Sequence, residues 1–399
     1  MQKKPVKQKP EKQEKQADIY AIRKQKKRRR ILKRSAVFIA GAIFLIVLYQ
    51  KRDVWLPKLE TIGGRSGVHI AEEQDQADFP ITVYSGTQYQ AAALGGYLSI
   101  LSDSYLHVYE QSGSTRNIRQ QTYGNAILRT EGEFGFVYES GGTRFRLETA
   151  DKAVYEKSVN DQIIYGTVSA KGYAALITMS DTCACKLLIF NEKGQQIYQR
   201  ECVEQLSCVC FFPDSTGCYA VSIGTAAGIM QSYVHKYSFS EKSEIWKSKP
   251  LDTFAISVYN TNDGGVCLIG DMRTAYLTAG GGVLYDYVYP DSFEQGCFAG
   301  NTALILTSNK EQRTKTLTIF PLETGQPVTK SFSKEICSIG LYPEGRKVLV
   351  QMRSKVLELD LAGEMKNSIP IMDGCDRFLR IGSDLYLLGY NTVDRVSLS

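Results

Sequence analysis

The stretch YGTVSAKGYAALIT (residues 165–178) consists of a run in which apolar and polar residues alternate, a tight turn and a run of apolar residues. It continues with a further apolar run, KLLIF (186–190), a second turn, NEKG (191–194), and a fourth run, QQIYQ (195–199). Short runs of this kind, bounded by Gly, Asn, Asp or Ser, are typical of β-strands. From Phe79 onward such runs recur, and no helical period is sustained. The sequence therefore predicts an all-β region.

Units of this kind return at a nearly constant spacing. CVCFFPDSTGCYAVSI (208–223) and CSIGLYPEGRKVLVQM (337–352) belong to two others. The first strands are predicted to start near residues 92, 124, 163, 206, 254, 294, 336 and 377. A period near forty residues with four strands per unit is typical of a β-propeller, because a single blade cannot bury both of its faces. We predict eight blades. Seven blades remain an alternative, since the first unit is short and the fourth long, and a pair of β-sandwiches is the alternative fold.

The two ends of this region complement each other. The last unit, RFLRIGSDLYLLGYNTVDRVSLS (377–399), has room for three strands. The segment FPITVYS (79–85), at the start of the region, can supply the fourth strand. Such pairing closes the ring and removes an open sheet edge. We therefore predict one closed propeller over residues 79–399.

Two turn patterns resemble those of known propeller blades. FFPDSTGCYAVS (211–222) and LYPEGRKVLVQ (341–351) resemble the first turn of WD40-like and TolB-like blades, in which an aromatic, Pro, an acid and Gly precede a buried strand. Over residues 30–399 the plan resembles an uncharacterised bacterial family of membrane-anchored propellers. The Trp-Asp pair of true WD40 blades is absent, because only Trp55 and Trp246 occur and neither precedes Asp. For the same reason the resemblance implies no quinone cofactor.

The amino-terminal part of the chain is basic and then apolar. Residues 1–34 contain 15 Lys or Arg and 3 Asp or Glu, whereas the rest of the chain has 33 basic and 39 acidic residues. The following segment, SAVFIAGAIFLIVLYQ (35–50), carries no charge. As a helix it extends over about 24 Å. The flanking Arg34, Lys51 and Arg52 can reach the headgroups and so help it cross a bilayer.

This charge bias sets the predicted orientation, because basic flanks stay in the cytoplasm. We predict a cytoplasmic tail (1–34), a single transmembrane helix (35–52), an outside linker (53–78) and an extracytoplasmic propeller (79–399) at the cell membrane. Two alternatives are disfavoured. A cleaved signal peptide needs small residues after the apolar run, where Leu48–Lys51 is bulky and charged. A buried core helix does not fit the basic residues upstream.

The basic tail has two interpretations. Polybasic segments beside a membrane are attracted to anionic lipid, at about 1 kcal/mol per basic residue near the surface. Alternatively, the tail only enforces the topology. Nucleic-acid binding is not predicted, because the tail lacks interleaved aromatic residues and a folded basic face.

The sequence contains no recognisable catalytic motif. It has no P-loop, no G-x-S-x-G and no H-E-x-x-H. Its three histidines, His69, His107 and His235, are isolated from one another in the linker or in alternating strands. No catalytic residue can be assigned, and the sequence predicts neither a cofactor nor a metal site.

Ten cysteines follow the predicted membrane helix. Their C-x-C spacings differ from the spacing of zinc ligands. Outside the membrane, cysteines can form disulfides. If the hairpin turns at NEKG, Cys183 lies opposite Cys202, which makes these two a candidate disulfide. The favoured alternative is that the cysteines are small buried apolar residues.

Two functions are compatible with these features. The first is a non-enzymatic scaffold at the cell surface, whose loops bind a protein or a cell-wall ligand. The alternative is a surface hydrolase or lyase with carboxylates around the central channel. We favour the scaffold, because the sequence places no convergent set of acids.

Overall fold

The structure, a computed structural model, describes residues 79–85, 89–333 and 335–398. Within them, thirty-two β-strands form eight four-stranded antiparallel sheets. Seven sheets each use four consecutive strands, and the eighth combines the last three strands with the first. The predicted all-β class, the propeller and its eight blades are confirmed.

The strands are numbered in chain order. Blades 1 to 4 contain β2 (Gln90–Leu94), β3 (Tyr97–Leu101), β4 (Tyr105–Tyr109), β5 (Thr115–Gln120), β6 (Ala126–Glu131), β7 (Phe134–Glu139), β8 (Arg144–Glu148), β9 (Ala153–Ser158), β10 (Ile163–Val168), β11 (Ala174–Thr178), β12 (Cys185–Phe190), β13 (Gln196–Cys202), β14 (Gln205–Phe211), β15 (Gly217–Ala226), β16 (Ile229–Ser238) and β17 (Trp246–Lys247). Blades 5 to 8 contain β18 (Ala255–Asn260), β19 (Val266–Gly270), β20 (Arg273–Leu277), β21 (Val283–Val288), β22 (Ser292–Ala299), β23 (Thr302–Asn309), β24 (Thr314–Pro321), β25 (Val328–Phe332), β26 (Ser338–Leu341), β27 (Lys347–Met352), β28 (Lys355–Asp360), β29 (Met365–Pro370), β30 (Cys375–Ile381), β31 (Asp384–Gly389), β32 (Thr392–Ser397) and β1 (Ile81–Thr82).

The first strands of the blades are neighbours around the ring. For example, β2 contacts β6, β14 contacts β18, and β30 contacts β2. The predicted starts of these strands differ from the observed starts by no more than two residues. The repeat period therefore located every blade correctly.

The hydrophobic core lies between blades. Eight clusters of buried side chains each join two successive blades, with one cluster at every junction of the ring. The second strands β11 and β19 are buried along their whole length, whereas the outer strand β9 is mostly exposed. A blade is thus covered on both faces only by its neighbours, as the repeat predicted.

The ring closes where the described part of the chain begins. Ile81 pairs with Val393, and Thr82 pairs with Thr392, so that β1 is the outer strand of blade 8. The backbone N–H of Val83 donates to the carbonyl of Asn391 over 2.8 Å. The predicted closure is confirmed, although the paired strand is shorter than the predicted segment 79–85.

The predicted membrane segment precedes the residues that the structure describes. The tail (1–34), the transmembrane helix (35–52) and the linker (53–78) lie outside the described residues and remain predictions. Within the part of the chain that the structure describes, no helix is long and apolar enough to cross a membrane.

The closure can be tested by truncating its buried side chain. Ile81 is 2% exposed and packs in the cluster between blades 8 and 1. We expect Ile81→Ala to lower the free energy of unfolding by about 2–4 kcal/mol, the usual cost of removing a buried aliphatic side chain. Urea denaturation of the full-length protein measures it.

The matched control is Thr82→Ala, because Thr82 belongs to the same strand but is exposed. We expect a change within about 0.5 kcal/mol for this variant. Equal losses for both variants would show that the side chain of Ile81 does not hold the ring closed.

Candidate functional site

The alternating strand directions place the turns on two opposite faces of the disc. The turns between second and third strands and the connections between blades lie on one face, here called the connection face. The other turns lie on the opposite face. Because β1 is antiparallel to β32, the described chain enters at Phe79 and leaves at Leu398 on this second face, here called the terminal face.

The connection face carries an unusual number of exposed apolar side chains. Those more than a third exposed in its turns, hairpin tip and connections are Tyr84, Met179, Val203, Ile229, Met230, Phe254, Met272, Met372 and Tyr390. Tyr84, Val203 and Tyr390 are the most exposed, at 87%, 93% and 91%. These side chains belong to turns and connections of several blades, so exposed apolar groups are enriched on this face as a whole.

The connection face also contains a groove. It opens between blades 5 and 6, has a volume of about 1210 Å³ including open solvent, and is lined by Met272, Tyr289 and Phe293 together with Asp271 and Asp291. Its remaining lining residues are mostly polar, among them Ser292, Ser308, Asn309, Lys310 and Glu311, so the groove combines a few apolar side chains with many polar groups.

The terminal face has fewer such side chains. Among the described residues, those more than a third exposed in its turns or at the strand starts beside them are Ile245, Val283, Leu284 and Met365. A cavity on this face is lined by polar groups, including Glu323, Glu344 and Arg346. The two faces therefore differ in chemistry, and the more apolar one is the face away from the ends of the described chain.

A second candidate site lies between blades 3 and 4. The imidazole of His235, in β16, is 6% exposed. Its Nδ1 lies 2.8 Å from Oε2 of Glu244, and its Nε2 lies 2.8 Å from Oγ of Ser222. Glu204 Oε2 also lies 2.5 Å from Ser222 Oγ, and Lys247 forms an ion pair with Glu204. These five residues, which line a small cavity, are called the His235 cluster.

The order of contacts in the His235 cluster is that of a hydrolytic triad, but the serine does not fit this role. A nucleophilic serine must reach the substrate and donate its proton to the histidine. Ser222 is completely buried. Its single proton is shared between the imidazole of His235 and the carboxylate of Glu204. The arrangement therefore acts as a buried hydrogen-bond clamp on β15 and β16.

The charges of the His235 cluster follow from burial. Burial lowers the pKa of His235 below its ordinary value of 6.5, against the opposing effect of Glu244. Burial also tends to raise the pKa of Glu204, but the hydrogen bond from Lys247 and the hydroxyl of Ser222 outweigh it, so this pKa is lowered overall. The stable state is a neutral imidazole that donates to Glu244, beside an ionised Glu204.

The acids near the first strands do not converge. Burial raises the pKa of Glu131, at the end of β6. In the described ranges, no group of three or more His, Cys, Asp or Glu side chains is arranged to hold a metal ion. The hydrolase alternative therefore gains no metal site from the described residues, and it stays a prediction.

The predicted cysteine register differs from the observed one. Cys185, not Cys183, lies opposite Cys202. The hairpin closes with the pair Asn191 and Gln195, one residue wider than the predicted turn, and a β-bulge after Ile189 adds a second residue. In this structure all ten cysteines are free thiols.

The other two predicted histidines take no part in these sites. His107, in β4, lies between the rings of Tyr105 and Tyr109, with centroids 5.8 Å away on either side. His69 lies outside the described residues. Of the two described histidines, His235 is the one with side-chain partners in the His235 cluster, and the sequence did not predict these partners.

The sequence matches one family model. Residues 72–398 match the model of a family of unknown function, DUF5711. The match spans most of the chain, so the chain belongs to this family. No curated protein matches the sequence.

Solved structures share the fold at low sequence identity. Sqt1 of Saccharomyces cerevisiae is 11% identical, with a TM-score of 0.59 over 81% of this chain and 100% of that chain. The WD40 domain of SCAP from fission yeast is 9% identical, with a TM-score of 0.55 over 80% and 97%. BamB from Moraxella catarrhalis is 10% identical, with a TM-score of 0.52 over 80% and 100%. These likenesses establish a WD40-like propeller.

The His235 cluster predicts a pH dependence of stability. Because the pKa of His235 is lowered in the folded state, the unfolded chain binds more protons below about pH 6.5. We expect the free energy of unfolding to fall as the pH decreases from about 7 to about 5, by at most about 1.4 kcal/mol per pH unit for one proton. Urea denaturation across this range measures the slope.

Two variants test whether His235 causes the change in the free energy of unfolding with pH. His235→Gln should flatten the slope, because the titrating ring is gone. Lys193→Gln, on the exposed terminal face, should leave it unchanged. A slope that persists in His235→Gln would mean that other groups carry this pH dependence.

Proposed function

We propose that this member of the family is a scaffold held outside the cell membrane by a single helix, and that its connection face binds a partner protein. The observation that carries the proposal is the enrichment of exposed apolar side chains on the face opposite the ends of the described chain. Since the same propeller architecture can serve many purposes, the surface rather than the fold supports this function.

The chemistry of the connection face favours a protein partner. Exposed Met, Tyr and Phe side chains such as Met272, Tyr390 and Phe254 are among the residue types enriched at protein interfaces. The groove beside Met272 would receive a side chain or a short segment of the partner. A cell-wall polymer, which is rich in hydroxyl groups, would instead favour a polar surface.

The position of the predicted anchor is compatible with binding through the connection face. The predicted membrane helix (35–52) and the linker (53–78) precede Phe79, which lies on the terminal face. The connection face is thus the face away from the point at which the described chain begins. A fully extended linker of this length spans at most about 90 Å, which confines the propeller near the membrane and raises its effective concentration for surface partners.

The alternative function, a hydrolase, has less support. Its best candidate nucleophile, Ser222, is buried and shares its proton with Glu204. The described residues also give it no metal site. Binding through the connection face uses groups that are already exposed, and for this reason we favour it.

Photo-crosslinking in intact cells tests the partner-binding face. A benzophenone amino acid is placed at Tyr390 or at Met272 in the full-length protein. We expect both positions to give the same covalent adduct with one protein, identified by mass spectrometry, because both lie on the same face. In a further protein the benzophenone is placed at Met372, on the same face. Combining Met272→Asp and Tyr390→Asp in this protein should reduce adduct formation at least tenfold.

The matched control carries the benzophenone at Lys193, which is exposed in a turn of the terminal face. We expect no specific adduct from this position. Equal labelling from Lys193 and Tyr390, or different proteins from Tyr390 and Met272, would contradict binding through the connection face.

Protease accessibility tests the anchoring. Trypsin added to intact protoplasts should cut within the linker, which contains Lys58 and Arg65, and release a folded propeller. The tail should stay protected until lysis. A propeller that is protected until lysis would overturn the outside location, and full-length protein in the soluble fraction would overturn the anchor.

A further inference from the structure

We propose that Cys185 and Cys202 form a reversible, redox-active dithiol in blade 3, which a small peroxide-class oxidant converts to a disulfide. This pair differs from the sequence-based pair, in which Cys183 was the partner of Cys202. The inference does not depend on the proposed scaffold function, because it rests on the geometry of one hairpin and of the cavity beside it.

The strand register brings the two residues together. Cys185 begins β12 and Cys202 ends β13, and they are direct partners in an antiparallel pair. Partners of this kind have Cα atoms about 4.5–5.5 Å apart, and a disulfide requires about 4.4–6.8 Å. The separation typical of direct strand partners therefore falls within the range that a disulfide requires.

The two thiols interact with each other and with the backbone. The sulfur of Cys202 interacts with that of Cys185, and the N–H of Leu206 donates to Cys185 Sγ over 3.3 Å. Each thiol also faces a backbone carbonyl, Cys185 that of Glu204 at 3.5 Å and Cys202 that of Arg200 at 3.8 Å. The contacts with Cys202 and Leu206 lower the pKa of Cys185 below its ordinary value, against the effect of burial. The contact between the two sulfurs, together with burial, raises the pKa of Cys202.

A path to solvent exists on the Cys202 side. Cys202, Arg200 and Val203 line the cavity between blades 3 and 4 that also contains the His235 cluster. The empty space of this cavity is about 450 Å³, including open solvent, which accommodates several water-sized molecules. A peroxide can therefore approach the pair, whereas a folded protein oxidant cannot.

The proposed reaction balances with one equivalent of hydrogen peroxide. The proton of Cys202 passes to Cys185, and Cys202, which lines the cavity, attacks one peroxide oxygen as its thiolate; the O–O bond breaks, and hydroxide leaves and becomes water on protonation. The resulting sulfenic acid is attacked by the second sulfur as its thiolate, the S–O bond breaks, and the hydroxyl leaves as a second water. Two electrons pass from the dithiol to the peroxide. A dithiol reductant reverses the disulfide by exchange.

Other cysteines are placed less favourably. The Sγ of Cys183 contacts the hydroxyl of Ser180 at 3.1 Å and the carbonyl of Cys185 at 3.2 Å, and Cys183 is not the strand partner of Cys202. Cys208 and Cys218 are buried among apolar side chains, and burial raises the pKa of each. We therefore expect oxidation to be selective for one pair.

Peptide mapping of the full-length protein tests the proposal. The folded protein is treated with hydrogen peroxide, its remaining thiols are alkylated, and it is cleaved after Lys, Arg and Glu. Cys183 and Cys185 then lie on peptide 172–186, and Cys202 lies on residues 202–204. We expect these two peptides to be linked after oxidation, and separate and fully alkylated after dithiothreitol.

Two variants identify the sulfur on the longer peptide. The link should persist in Cys183→Ser and disappear in Cys185→Ser. If Cys185→Ser does not fold, fragmentation of the linked wild-type peptides distinguishes the two positions. A link through Cys183, complete alkylation of Cys202 after peroxide treatment, or conversion of Cys202 to sulfinic acid without any link would each overturn the proposal.

Discussion

Each blade of this protein has two apolar faces and can cover neither of them alone. The consequence is visible at every junction of the ring, where buried side chains from two successive blades form one cluster. A structure held by such nearest-neighbour contacts is complete only when the last blade meets the first. The pairing of Ile81 with Val393 provides this contact. It also places Phe79 and Leu398 on the terminal face, which distinguishes this face from the connection face.

The same stacking sets a steric limit near the axis, where the blades converge. Gly166, in the first strand of blade 3, faces the rings of Phe136 and Tyr138, and a Cβ atom there would lie 2.8 Å from either ring. Gly340, in blade 7, meets the ring of Phe378 in the same way. Small residues in the first strands therefore let aromatic side chains of the adjacent blade approach closely.

The fold could be predicted because the repeat, the turn residues and the buried strands all follow local rules. The site could not. The register of Cys202 depends on a β-bulge after Ile189, which leaves no mark in an alternating pattern. The contact of His235 with Ser222 depends on the register of the hairpin formed by the two ten-residue strands β15 and β16, in which these residues are diagonal neighbours. Val203 is exposed in a connection between two blades. The alternation of apolar and polar residues predicts burial within strands and gives no prediction for such a connection.

The departures from regularity are concentrated at blades 3 and 4. Here the strands β15 and β16 are the longest, the outer strand β17 has only two residues, and the His235 cluster and the Cys185–Cys202 pair border one cavity. Two of these features are not unique to this junction, since blade 8 also has a two-residue outer strand and blade 2 buries the ion pair of Arg146 and Glu148. Buried polar groups are costly unless they are paired, and at blades 3 and 4 Ser222 and Glu244 supply the partners of His235.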